Sequence, residues 1–116
     1  MQRKFRLTRF EDFKRVRRDG KSYAHPLVVL IVKKNELKKT RIGIAAGKRA
    51  GTAVHRNRAK RLLREAMRTL IPNIASNLDL VLIARPKLAS ASLEETRQAL
   101  QNILHRAQII TPIHES

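Results

Sequence analysis

The stretch Thr52-Ala53-Val54-His55-Arg56-Asn57-Arg58-Ala59-Lys60-Arg61-Leu62-Leu63-Arg64-Glu65-Ala66-Met67-Arg68 decides how the chain is read. At ~100° per residue, with Arg56 at zero, Ala59, Leu62, Leu63, Ala66, Met67 and Leu70 occupy an arc from roughly 240° through 20°. Asn57, Arg58, Lys60, Arg61, Arg64 and Arg68 fill the complementary arc. This spacing predicts a long helix that docks one side on a core and turns guanidinium groups to solvent. Thr52 is its candidate N-cap, and Pro72 and Asn73 end it after about Leu70. Upstream, Gly47-Lys48-Arg49-Ala50-Gly51-Thr52 forms a glycine-rich basic loop. Before it, Leu27–Val32 and Thr40–Ala46 read as two strands, expected to pair as an antiparallel hairpin. Thr8 and Glu11 have capping-box spacing, which starts a helix over about 9–18 that stops at Gly20. Downstream, Leu78–Ala84 is a third strand, and Ser92 with Glu95 caps a last helix carrying Leu93, Thr96, Leu100, Ile103, Leu104 and Ala107 on one face. The order αββαβα predicts an α+β sandwich, a mixed sheet packed with helices. With no repeat and no interior linker, residues 1–116 read as a single domain, with a frayed tail over about 108–116.

Composition narrows the function. The 116 residues hold 26 Lys and Arg against 9 Asp and Glu, a net charge of +17. Residues 1–68 carry 22 of the bases and 5 of the acids, so the whole excess lies in the first three-fifths of the chain. A local excess of this kind points to a polyanion, with nucleic acid favoured over an anionic membrane face. The chain has no Cys, which excludes disulfide scaffolds, Cys-type zinc sites and thiol chemistry. No apolar run approaches ~18 residues and no signal-peptide layout is present, which predicts a soluble cytoplasmic protein with no membrane partner.

A nuclease working alone needs clustered carboxylates for metal ions, or a His pair as acid and base. Glu11, Asp12, Asp19, Glu36 and Glu65 form no such pair in the basic region. Glu11 and Asp12 fit first-turn capping and dipole compensation, and Glu65 fits a local salt bridge with the arginines around it. His25, His55, His105 and His114 show no ligand spacing. No catalytic residue and no protein metal site is expected. The basic arc is a different matter. So many cations within a few turns repel one another unless an anion neutralises them, and the planar fork of Arg suits phosphate oxygens. Asn57 adds an amide that can both donate and accept, and the Gly47–Thr52 loop could add backbone N–H groups.

The run Ala53-Val54-x-Arg56-Asn57-Arg58-x-Lys60-Arg61-x-x-Arg64-Glu65 resembles the "RNR" signature of the bacterial ribonuclease P protein family. Leu7, Asp12-Phe13-x-x-Val16, Gly20, Arg41-x-Gly43, Lys48, Gly51 and Ile83-Ala84-Arg85 extend the resemblance over about residues 7–107. It implies the non-catalytic protein subunit of a ribonucleoprotein endonuclease that removes the 5′ leader from precursor tRNA. The chemistry would be carried by the ribonuclease P RNA with Mg²⁺. It also implies a left-handed βαβ crossover, as in the ribosomal protein S5 domain 2-like fold, against the usual hand. By position, Arg56, Asn57, Arg58, Lys60, Arg61, Arg64 and Arg68 would contact the RNA subunit. Phe13, Arg17, Lys48 and Arg49 would flank the leader. No protein partner is implied. Arg17 stands where the family often has a second aromatic, and Ile31 where it often has Tyr.

Three other readings share the basic composition: a structural RNA-binding protein such as a ribosomal protein, a DNA-compacting protein, and a metal-dependent nuclease acting without RNA. Phe10 and Phe13, at helical spacing, are core residues as often as binding ones, and only the resemblance makes Phe13 a site candidate.

Overall fold

The computed structural model describes residues 5–111. Among these, the helices are α1 (Phe10–Asp19), α2 (Ala53–Leu70) and α3 (Leu93–Arg106). The strands are β1 (Lys21–Ala24), β2 (Val28–Lys34), β3 (Arg41–Ala45) and β4 (Leu78–Ala84). The fold is α+β, with one mixed sheet of strand order β1-β2-β4-β3. β3 and β4 run parallel, joined through α2, whereas β4 is antiparallel to β2 and β2 to β1. No helix of the described residues is long and apolar enough to cross a membrane.

Two expectations about the sheet are corrected. The order is αβββαβα, because Lys21–Ala24 forms an additional strand. That strand is short, polar and at the sheet edge, so it carries no apolar alternation to reveal it. The hairpin is β1–β2. The strand at Leu27–Val32 pairs with β4 instead of β3, and β4 inserts between them. Leu78–Ala84 is apolar along nearly its whole length because it is buried on both faces in the centre of the sheet.

α2 and α3 pack on one face around Leu30, Ile42, Leu63, Met67, Leu80, Leu82 and Leu100, the main core. α1 lies on the other face over Ile31 and Val81, with Val16 fully buried beneath it. The two helix starts contrast. Ser92 and Glu95 form the reciprocal capping box expected of them, at 3.0 and 2.9 Å. At α1 the capping residue is Arg9 and no side chain caps the helix, so the Thr8–Glu11 box does not form. Thr8 instead lies beyond a segment tied to the sheet, where Leu7 N–H donates to Ile42 O at 2.8 Å along the outer edge of β3. The tail is better held than expected up to residue 111. Ala75 N–H donates to Ile109 O and Thr111 N–H to Asn73 O, each at 2.8 Å. The remainder of that expected tail, 112–116, lies outside the described residues.

Candidate nucleic-acid interface

Cross-strand pairing places the α1 face of the sheet in three rows. One end row is Arg41, Asp79 and Lys33. The middle is Gly43, Val81, Ile31 and Ser22. The other end row is Ala45, Ile83, Val29 and Ala24. α1 crosses the middle row. The Phe13 ring lies directly on Gly43, where a Cβ would run into the ring, so only glycine allows the approach. Phe13 therefore joins the core beneath α1 and also lines a hollow of about 250 Å³ with Arg6, Leu7, Thr8, Ile42, Ile44 and Arg64.

The first end row is closed by charge. Asp79 is fully buried. Its carboxylate accepts from Arg15 Nη2 at 2.7 Å, Arg41 Nη2 at 2.9 Å and Nε at 3.0 Å, and Asn35 Nδ2 at 2.8 Å. Burial pushes the Asp79 carboxyl up, but the bonds from Arg41, Arg15 and Asn35 outweigh it and hold the group below the usual carboxylate range. The same bonds raise the pKa of Arg15 and of Arg41. Asp12 completes the network, accepting from Arg15 at 3.2 Å and from Arg41 at 3.4 Å. Its role is thus to tie α1 to β3, beyond its first-turn position. Two acids neutralise two bases here, so Arg15 and Arg41 are anchors of α1. The signal for this cluster was present in the sequence as a lone Asp79 inside an apolar strand, because a buried carboxylate requires partners. Among the described residues no three His, Cys, Asp or Glu side chains gather as metal ligands, and Asp12 and Asp79 are already bonded to guanidinium groups.

The other end row is open. Ala45, Ile83 and Val29 are partly exposed and Ala24 is exposed, which makes a shallow apolar floor. Lys48 and Arg49, both exposed, stand on the turn after β3 at one end of this row. At the other, Ala24, His25, Pro26, Arg85, Pro86 and Lys87 line a broad hollow of about 560 Å³. His25 Nδ1 accepts from Leu27 N–H at 3.0 Å, which leaves Nε2 to carry the proton of the neutral ring. Burial, with the nearby Arg106 charge, lowers the pKa of His25 and keeps that form. Arg17 is exposed on α1, and helical spacing puts it on the flank opposite Asp12 and Arg15, the side of this open row.

On the opposite face of the sheet, α2 begins at Thr52, whose Oγ1 accepts from His55 N–H at 3.4 Å. The preceding loop offers less to an anion than its glycines suggest. Ala50 and Gly51 spend their N–H groups on Gly47 and Lys48 carbonyls in a tight turn. The helix buries Ala59, Leu63, Ala66, Met67 and Leu70, while Leu62 remains partly exposed beside Leu93. Arg56, Lys60 and Arg64, spaced by four, form a partly exposed row, and Asn57 and Arg61 are exposed next to it. Within the described residues none of these four cations joins an ion pair. Two of the expected contact residues are differently placed. Arg58 donates from Nε to Ala89 O at 2.7 Å, fastening α2 to the segment before α3. Arg68 pairs with Glu65 at 2.7 Å, the local partner foreseen for that acid. Arg64, by lining the hollow with Phe13, links the α2 row to the α1 side of the molecule.

Fold and surface together define a small basic α+β domain whose α2 carries a row of cations outside any ion pair among the described residues. The model of the Ribonuclease P family matches residues 1–108. A ribonuclease P protein component from Herpetosiphon aurantiacus is 41% identical over 109 residues, covering 94% of this chain and 89% of the relative. Among solved structures, the Staphylococcus aureus RNase P protein superposes with a TM-score of 0.81 at 28% identity, covering 92% of this chain and 98% of that one. The Thermotoga maritima RNase P protein gives 0.77 at 32% identity, over 87% and 96%. The chain belongs to the ribonuclease P protein component family.

Proposed function

We propose that this chain binds ribonuclease P RNA through Arg56, Asn57, Lys60, Arg61 and Arg64, with Arg58 and Arg68 at the margins of that contact. The strip between α1 and the open end of the sheet holds the single-stranded 5′ leader of precursor tRNA. The work is done in the cytoplasm, and the RNA subunit with its Mg²⁺ carries out the hydrolysis. The protein supplies charge and position. Its cations replace the counterions of crowded phosphates, which raises affinity where substrate meets the RNA. The apolar floor and Phe13 accept unpaired bases, and Arg17, Lys48 and Arg49 meet the phosphates linking them.

The observation that carries this reading is the row Arg56, Lys60 and Arg64 with Arg61: four cations without an acidic partner among the described residues, on one helix docked on the core. Reconstitution tests it. The protein with ribonuclease P RNA and precursor tRNA is expected to restore leader removal at physiological Mg²⁺, while the protein alone cleaves nothing. A structural RNA-binding protein would leave the RNA inactive under those conditions. Cleavage by the protein without RNA would contradict the proposal.

A further inference from the structure

Phe10 is 73% exposed, whereas Phe13, three residues on, is seated on the sheet. Around α1, at ~100° per residue, Val16 and Phe13 point down onto the sheet, and Asp12 and Arg15 turn to the Asp79 row. Phe10 and Arg17, seven residues apart, share the opposite flank, which faces the Ala45–Ile83–Val29 row. The Lys14 Nζ lies 5.4 Å from the Phe10 ring centroid, so a cation stands at the ring while most of its surface is open to solvent.

We propose that Phe10 is a substrate-binding residue, a stacking surface for an unpaired base of the 5′ leader. It lies at the β3 end of the strip, where the strip approaches the α2 row. The inference rests on the leader-binding reading above and adds to it a further residue and the way it binds. Three features on one flank carry it. An aromatic ring offers a π-face to any base, a neighbouring ammonium can meet the base's phosphate, and Arg17 continues the cationic side beyond it.

The experiment uses the holoenzyme assembled on ribonuclease P RNA. Dissociation constants are measured for precursor tRNA and for the same tRNA without a leader, with wild type, Phe10→Ala, Phe10→Trp, and Phe13→Ala combined with Arg17→Ala. Loss of one base stack is expected to weaken precursor binding by Phe10→Ala about fivefold or more. Binding of leaderless tRNA and of the RNA subunit stays unchanged, and Phe10→Trp restores the wild-type value. An abasic site at the stacked leader position lowers wild-type affinity but lowers that of Phe10→Ala no further. If Phe10→Ala binds precursor as wild type does, or weakens leaderless tRNA equally, the proposal for Phe10 is overturned. If the Phe13 and Arg17 double variant also leaves the leader's contribution intact, the leader-binding reading falls with it.

Discussion

Replacing Asp79 by Asn removes a charge that three donor side chains surround. The amide keeps one acceptor oxygen but turns an NH₂ group toward guanidinium groups, so at least one of the bonds from Arg15 and Arg41 is lost and the others weaken because the acceptor no longer carries a charge. Breaking a buried ion pair costs about 3–5 kcal/mol, and a charge-assisted hydrogen bond about 1.5–3 kcal/mol. The Arg15 and Arg41 side chains retain 32% and 20% exposure, so water recovers part of the loss. We expect a net destabilisation of about 3 kcal/mol, placed at the low end of the buried-pair range for that reason. A domain of this size has about 5–15 kcal/mol in hand, so the variant folds at 25 °C but melts roughly 10 °C or more lower. Acid gives an independent signature. The folded state holds the Asp79 pKa below its unfolded value, so its stabilisation is complete at neutral pH. It fades as pH falls below the ordinary carboxylate range near ~4 and through the folded-state value. Asp79→Asn should lose that part of the acid dependence, leaving the gap between the two proteins smaller at low pH. Urea unfolding followed by far-ultraviolet circular dichroism at pH 7 and at acid pH measures both. Equal stability at pH 7, or a gap that widens on acidification, would refute the reasoning.

Gly43→Ala places a methyl group in the Phe13 ring and is expected to cost about 1–3 kcal/mol through overpacking. Thermal melts read that cost, and weakened binding of leader-bearing tRNA alone would show the displaced ring. Ser92→Ala deletes one arm of the α3 capping box, about 1 kcal/mol, and should lower the melting temperature with RNA affinity unchanged, because the uncharged Ser92 side chain is already spent on the Glu95 N–H.

Local signals were legible where chain-neighbouring residues make the structure. The Ser92 and Glu95 cap, the Thr52 helix start and the full extent of α2 and β4 follow from spacing and composition alone. Thr8 and Glu11 had equally good spacing, but the backbone there is held by β3 through Leu7, and tertiary pairing overrode the local motif. Pairing between strands was illegible for the same reason. Nothing near Val32 or Arg41 records that a strand almost forty residues later comes between them. At the candidate site, the wheel of α2 separated buried from exposed positions but could not see Ala89, the acceptor that takes up Arg58. Phe10 and Phe13 look alike in sequence. Only the crossing of α1 over Gly43 separates a ring seated on the sheet from one left in solvent.

The most direct measurement is the salt dependence of affinity for ribonuclease P RNA, comparing wild type with a variant carrying Arg56→Ala, Lys60→Ala, Arg61→Ala and Arg64→Ala. Each phosphate left without its cation should reduce the log–log slope by about 0.7–0.9, so the fourfold substitution removes roughly 3 units along with most of the affinity at low salt. A correctly folded variant that keeps both the wild-type slope and the wild-type affinity would contradict the assignment of α2 as the RNA-gripping element.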